Sequence, residues 1–333
     1  MESERVSPGK MPEPILVTGG AGFIGSHLCE ALLDEGWELW CVDNFCDFYA
    51  PATKEANIAP LLSHPSFHLI RADIRDKEAM RQLFAQRKFY AVCHLAAMAG
   101  VRPSIQDPEL YMDVNINGTL QLLQLCKEYG VQRFIFASSS SVYGNSPSFP
   151  SRETDFVDHP ISPYAASKKA GELLCHTWHH LWGISIVCLR FFTVYGPRQR
   201  PDLAIHKFAS LLAKDQPLPY FGDGESSRDY TYIEDTIAGI RATLSFLESG
   251  SRFEVINLGN DHAIPLCEVV QELERLSGKK AQIQSLPAQE GDVHHTRACI
   301  QKAHQLLGYH PQTSFQQGMQ RFWDWFERQG KQE

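Results

Sequence analysis

Residues 17 to 25 read VTGGAGFIG, an apolar run that breaks into glycines and resumes at once as an amphipathic segment. Gly19, Gly22 and Gly25 thus fall between a predicted strand, PILVTGG, and a predicted helix, FIGSHLCEALLDEG, which Gly36 closes as its C-terminal cap. Small residues there allow a tight turn and close backbone approach, and the helix then offers unpaired N–H groups to a pyrophosphate. A glycine trio alone is a weak signal. Here the next apolar run, ELWCVDN, ends at Asp43, where a dinucleotide-binding βαβ unit keeps its ribose-binding acid. A carboxylate at that point accepts hydrogen bonds from both ribose hydroxyls and repels a 2′-phosphate, which favours NAD over NADP. The plainer alternative is a capping or turn aspartate. Asp73 closes the third run, FHLIRADI, and is a candidate partner for the adenine amino group.

The alternation continues. A helix is expected over 76–87, a strand at FYAVCHLAA, a helix over 110–129, a strand at RFIFASSSS, a helix from Tyr164 to Trp182 and a strand at SIVCLRFF. This pattern predicts an α/β fold, a Rossmann doubly wound parallel sheet with right-handed crossovers. After residue 197 turn signals such as GPRQRP and FGDGESS break up shorter elements, and the helix PLCEVVQELERLSG follows VINLG. The expected organisation is a loose tail at 1–13, an NAD-binding Rossmann domain at 14–196, and a smaller, mainly substrate-binding lobe at 197–330 whose segments return in part to the Rossmann sheet. No internal repeat or low-complexity tract is visible.

Tyr164 and Lys168, in YAASK, lie one helical turn apart and face the same way. An ammonium beside a phenol, together with a cationic nicotinamide, favours the phenolate; moving a phenol pKa from about 10 to about 7 requires roughly 4 kcal/mol. Ser139, at the end of the preceding strand, can hydrogen-bond the same substrate hydroxyl. A lone YxxxK is common by chance and reads equally as a surface helix pair. Combined with the glycine turn and the serine run at 138–141, it predicts hydride transfer to or from a secondary alcohol.

The chain resembles extended short-chain dehydrogenases/reductases of the nucleotide-sugar epimerase/dehydratase group, over about residues 14–325, through TGGAGFIG, DNF, HLAA, SSSSVYG, YAASK and RDYTYIED in the family's order. The resemblance implies a retained NAD touching Phe23, Ile24, Asp43, Asn44, Phe45, Asp73, Ile74, Leu95, Ala96, Ala97 and Ala99, with Ser139, Tyr164, Lys168 and Phe192 at the nicotinamide end. It places Phe221 beside the uracil, makes Arg228 a pyrophosphate ligand, and implies a homodimer through the helices at 113–129 and 165–182.

Related 4,6-dehydratases carry two acidic residues in the places of Ser140 and Ser141, and related decarboxylases a glutamate in the second. Two serines cannot act as carboxylate acid or base, so redox at C4, a 4-epimerase, is what remains. The segments RFFTVYGPRQRPD and NFCDFYAPATKEA resemble those of UDP-glucuronate 4-epimerases, with Thr193 where UDP-glucose enzymes usually hold asparagine. Hydroxyls at Ser139, Ser140, Ser141 and Thr193 could hold a sugar carboxylate, and Arg200 that carboxylate or the diphosphate. Small residues under the glycine turn are the plainer reading of Ser138 and Ser141. UDP-glucose or UDP-N-acetylglucosamine 4-epimerisation is the alternative activity, and a non-catalytic NAD or sugar-nucleotide binder the alternative class.

Other candidates carry less. Arg102, in AGVRPS, could meet a phosphate or carboxylate, or form an ordinary loop ion pair. Asn115 reads as a structural backbone contact. His176 and His180 have i,i+4 ligand spacing without an accompanying acid, so no metal is expected; His294 and His295 read as a loop or strand edge. A net charge of −8 disfavours nucleic acid and anionic membranes. The nine cysteines are scattered without CxxC pairs, no run reaches a membrane span, and the polar start MESERVSPGKMPEP lacks an apolar signal core. The expected location is the cytoplasm.

Overall fold

A computed structural model describes residues 13–222, 226–287 and 293–330. Most of the segment expected as a tail, 1–12, and part of FGDGESS lie outside the described residues. The first strands are β1 (Ile15–Thr18), β2 (Leu39–Asp43), β3 (Phe67–Arg71), β4 (Ala91–His94), β5 (Arg133–Ser139) and β6 (Ser185–Phe191). With the strand Phe253–Leu258 they form one sheet in the order β3-β2-β1-β4-β5-β6 and then Phe253–Leu258, and every pairing is parallel. Sheets covered on both faces need strands that are apolar throughout. Every residue of β1, β2, β4 and β6 is buried, and their side chains are mostly apolar, with Thr18, Asp43, His94, Ser185 and Arg190 the buried polar exceptions. Strand order reverses between β1 and β4, which opens a crevice at the carboxyl ends of the strands.

Local chemistry sets the helix ends. Helix α1 (Phe23–Asp34) follows the glycine turn, α2 (Pro51–Ile58) opens on a proline, and α3 (Lys77–Gln86) is capped by Asp76, whose carboxylate accepts from Glu78 N and Ala79 N. The helix Pro163–Trp182 starts at Ser162, whose hydroxyl accepts from Ala165 N at 3.1 Å, and ends at Gly183 in the left-handed region. The helix expected over 110–129 is longer and broken. Short helices at Val101–Gln106 and Pro108–Met112 precede a π-turn at Asp113–Asn117, and Gly118–Tyr129 completes it. The π-turn is where Asn115 reaches back to the chain after β4.

Beyond residue 197 the chain does two things. Phe253–Leu258 extends the main sheet, and the helix Ile233–Phe246 packs on α1. The rest, joined by the earlier strand Thr193–Tyr195, builds a small lobe, with a three-stranded sheet (Ala263–Pro265, Ser227–Tyr232, Thr193–Tyr195), the parallel pair Ile283–Leu286 and Leu218–Phe221, and helices Ala204–Ala213, Leu266–Ser277 and Phe315–Gly330. Tyr232 meets Tyr195 edge-on at 5.6 Å and Phe315 meets it tilted at 5.5 Å between centroids, at the centre of this lobe. Among the described residues no helix is long and apolar enough to cross a membrane, and all nine cysteines are unpaired.

Candidate active site

A cleft of about 790 Å³ runs along the carboxyl ends of the strands, over the switch point and down to the small lobe. Its floor is the glycine turn. Gly19 has φ +71°, and a Cβ there would lie 2.7 Å from Ala96 N; one on Gly25 would run into the Gly19 carbonyl. Only glycine lets β1, α1 and the chain after β4 come this close. Gly22, the N-cap of α1, provides no side-chain cap, so the first-turn amides are left to an external acceptor. Gly19, Gly22, Phe23, Ile24 and Gly25 all line the cleft.

Asp43 stands at the end of β2, 5% exposed. Its Oδ2 accepts from Ala21 N at 3.1 Å, and its Oδ1 from Phe45 N at 2.9 Å and Lys54 Nζ at 3.2 Å. Asp73 accepts from Asn44 Nδ2 at 2.8 Å and from Arg75, whose guanidinium is the main cause of its carboxyl falling to about 2. Asn44, Asp73, Ile74, Leu95, Ala96, Ala97 and Ala99 line the same wall. The Phe45 ring does not; with φ +51° it turns aside and stacks on the Arg71 guanidinium at 4.1 Å. An uncapped helix start, a carboxylate at the end of β2 and a small-residue wall after β4 together fit an extended dinucleotide.

The reactive end lies where β5 meets the helix Pro163–Trp182. Lys168 Nζ is 5.9 Å from the Tyr164 ring centroid and donates to Ala137 O at 2.8 Å. The backbone around Tyr164 is held closely. Tyr164 N donates to Ser104 Oγ, Tyr164 O accepts from Ser167 Oγ, and Ser167 accepts from Asn115 Nδ2 at 2.9 Å. The Asn115 amide also pairs with both the N–H and the C=O of Met98. Burial and neighbouring groups act on the phenol in opposite directions. Burial raises the Tyr164 phenol, while a hydrogen bond with Ser139 and the Arg200 charge pull it back. Burial likewise pushes Lys168 down to about 7. At the phenol desolvation outweighs the combined pull of Ser139 and Arg200.

Ser139, Ser140, Ser141, Phe192 and Thr193 line the cleft beside Tyr164. The Ser141 hydroxyl is buried and has no hydrogen-bond partner within the described chain. A buried hydroxyl without a partner costs about 1–3 kcal/mol, so a ligand group or water in the cleft is its natural acceptor. Arg200 reaches the same space, but Asp202 holds its fork at 2.9 and 2.6 Å. Arg228 lines the cleft and donates to Ser227 O and His294 O. Phe221 and Arg102 fall outside the lining and pack on each other, guanidinium to ring centroid 4.9 Å. His176 and His180 stack with centroids 6.4 Å apart, and among the described residues no three His, Cys, Asp or Glu side chains gather as a metal site.

Several groups at or behind the cleft escaped the sequence reading. Lys54, Phe48, Tyr49, Met98 and Asp202 line it. Beneath Lys168, Glu172 accepts from Ser138 Oγ at 2.6 Å and from Arg190 Nε and Nη2 at 2.8 Å each. Arg190 lies over the Tyr143 ring at 4.8 Å, and the Tyr143 hydroxyl donates to Asn257 Oδ1 at 2.6 Å. Under the dinucleotide wall His94 bridges Thr18 (2.8 Å) and Thr119 (2.9 Å). Burial depresses it to about 3, so it is neutral. Because Thr119 Oγ donates to Asn115 O, it must accept from His94 Nε2–H, which fixes the tautomer.

Comparison with known proteins settles the family. The family model described as GDP-mannose 4,6 dehydratase matches residues 16–322. This chain belongs to that family of extended short-chain dehydrogenases/reductases. It is 44% identical over 312 residues to the UDP-glucuronate 4-epimerase of Thermodesulfobacterium geofontis, spanning 93% of this chain and 95% of the relative. The crystal structure of UDP-glucuronic acid 4-epimerase from Bacillus cereus with UDP-glucuronic acid and NAD is 40% identical, with a TM-score of 0.90 over 95% of this chain and 99% of that one. The UDP-glucose 4-epimerase of Thermotoga maritima, solved with UDP-glucose, is 32% identical with a TM-score of 0.86, covering 95% and 99%.

Proposed function

We propose that this protein is an NAD-dependent 4-epimerase interconverting UDP-glucuronate and UDP-galacturonate. The carrying observation is the serine pair: Ser140 and Ser141 stand beside Tyr164 in the cleft, where elimination or decarboxylation would need a carboxylate. The higher identity to the glucuronate enzymes, 44% and 40% against 32%, supports the acidic sugar.

Bound NAD supplies a reversible hydride acceptor for C4 of the sugar. The chain's own part is protonic and positional. Tyr164 Oη takes the proton of the C4 hydroxyl, and Ser139 shares the same oxygen. Lys168, on the same helix face, holds the dinucleotide ribose and offsets negative charge on the phenol. Arg228 retains the diphosphate and Arg200 attends the sugar carboxylate while the 4-keto sugar turns its other face, and Tyr164 then returns the proton. Binding energy placed in the UDP handle leaves the ring free to turn.

A 4-keto uronate is a β-keto acid and loses CO₂ when the C–CO₂ bond aligns with the carbonyl π system. Ser140, Ser141 and Thr193 hydroxyls would hold the carboxylate near the carbonyl plane and suppress that loss. The protein acts as a homodimer through the helix Pro163–Trp182, whose Leu173 and Leu181 are each 57% exposed, and nine unpaired thiols suit the reducing cytoplasm. The test is incubation with UDP-glucuronate, UDP-glucose and UDP-N-acetylglucosamine, followed by separation of products. UDP-galacturonate should form from the first, and Tyr164→Phe should slow that by about 10²–10⁴-fold. Faster turnover of either neutral sugar overturns the substrate, and turnover of none overturns the enzyme.

A further inference from the structure

Asp43 already has what it needs for orientation. Two backbone amides, Ala21 N and Phe45 N, bind its two oxygens. Yet Lys54 extends from α2 to the same carboxylate at 3.2 Å, with side-chain exposures of 8% and 4% for lysine and aspartate. A buried ion pair of this kind is costly to desolvate and contributes little net stability, so its place on the cleft wall asks for another reason. Lys54 lines the cleft together with Asp43, Asn44 and Cys46, and its ammonium also lies 3.4 Å from Cys46 Sγ. The neighbouring cation, Arg71, is claimed by Glu55 through two hydrogen bonds of 2.7 Å. The corner therefore carries one negative and one positive charge, both buried, at the end of β2.

We propose that Lys54 is a specificity-determining residue of the dinucleotide site: its ammonium is a latent partner for a ribose 2′-phosphate, and Asp43 keeps the enzyme NAD-specific by occupying it. This rests on the NAD reading above. The carboxylate does two jobs at once: it repels a 2′-phosphate and neutralises the cation that would otherwise attract one. Removing its charge alone leaves a buried, uncompensated ammonium at a wall open to the ligand, and a phosphate dianion is the counterion such a site selects. Specificity here is a difference between two affinities set largely by one repulsive group.

The test is competition. NADH bound to the protein is displaced by NAD or NADP, and its fluorescence gives both dissociation constants. Asp43→Asn should tighten NADP by at least about tenfold and weaken NAD. Lys54→Met should bind NADP no better than the parent, because Asp43 is then an uncompensated charge. In Asp43→Asn/Lys54→Met the NADP gain should vanish. The gain in the single variant should also shrink between low and high salt, as a charge contact does. Asp43→Ser repeats the measurement should the asparagine variant fold poorly, judged by its melting temperature. The inference falls if neither Asp43 variant gains NADP affinity, or if the double variant keeps the gain. A parent protein that binds neither dinucleotide would instead sink the NAD reading itself.

Discussion

Glu172 and Arg190 provide the sharpest test of how the site is held. Each side chain is 3% exposed, and they meet through two hydrogen bonds of 2.8 Å. Glu172 projects from the helix that carries Tyr164 and Lys168, and Arg190 from β6, so the pair ties the catalytic helix to the sheet. Glu172→Gln keeps the shape and removes the charge, leaving a guanidinium buried without its counterion. Breaking a buried pair from one side costs about 3–5 kcal/mol. At about 2.1 cal/mol/K of unfolding entropy per residue, a chain of 333 residues loses about 1.4 °C per kcal/mol, so the melting temperature should fall by roughly 4–7 °C. The double variant Glu172→Gln/Arg190→Met removes both charges. Its loss should be less than half that of the single variant, because no lone ion remains.

Circular dichroism during heating, supported by urea midpoints at constant m, measures both variants. The reasoning is refuted if Glu172→Gln costs less than about 1 kcal/mol, or if the double variant is as unstable as the single. Either result would mean that the guanidinium finds compensation elsewhere, the Tyr143 ring being the first candidate.

Tyr164→Phe should lower kcat by about 10²–10⁴ while leaving NAD affinity within a few-fold; an unchanged kcat removes the phenol from the mechanism. Ser141→Ala should weaken UDP-glucuronate binding or release a decarboxylated by-product detectable by mass spectrometry, and unchanged affinity and product distribution would count against the hydroxyl clamp. Lys168 predicts a pH effect. Its pKa of about 7 in the free chain lies below the unfolded value of about 10.4, so its burial penalty is full below pH 7 and fades as pH rises towards 10. If the ribose hydroxyls of NAD give the ammonium its missing acceptors, binding raises that pKa. Calorimetry at pH 8 in buffers of different ionisation enthalpy should then show proton uptake, absent in Lys168→Met. Zero uptake in the parent protein refutes the assigned contact.

What the sequence disclosed was mostly local. The glycine turn, Asp43 and the Tyr164–Lys168 pair depend on spacings of a few residues, and a turn or a helix translates spacing directly into position. The family match adds the fold because parallel sheets follow from βα alternation. Contacts between distant segments were out of reach. Lys54 reads as an ordinary helix residue until α2 folds back on β2. Glu172, Arg190, Tyr143 and Asn257 each look unremarkable alone, and only the packing of four elements brings them into one buried chain. Phe221 and Arg102 are likewise a pair no spacing displays: they pack on each other outside the cleft lining. Burial, which no spacing displays, raises the Tyr164 phenol against its neighbouring charges.

The distribution of hydrogen bonds across the cleft suits a reaction in which one ligand stays and another turns over. On the dinucleotide side the polar groups are matched: Asp43 accepts three hydrogen bonds, Asp73 is held by Asn44 and Arg75, and Asn115 clamps Met98 from both sides. Matched groups do not rotate to meet a new partner, so that wall is preorganised. The sugar side is furnished differently. Ser139, Ser140, Ser141 and Thr193 offer hydroxyls that can swing between donor and acceptor, and Ser141 has unspent capacity. A carboxylate held by such hydroxyls can exchange one partner for another as the ring turns, without a charge being desolvated between positions. A fixed bidentate cation aimed at the carboxylate would hold one orientation too well; Asp202 keeps Arg200's Nε and Nη2 engaged and tempers that pull. By this reasoning, Asp202→Ala should tighten UDP-glucuronate binding yet lower kcat, because the freed guanidinium would stabilise one face of the intermediate against the other. A fall in affinity with unchanged kcat would show that Asp202 positions Arg200 for binding instead.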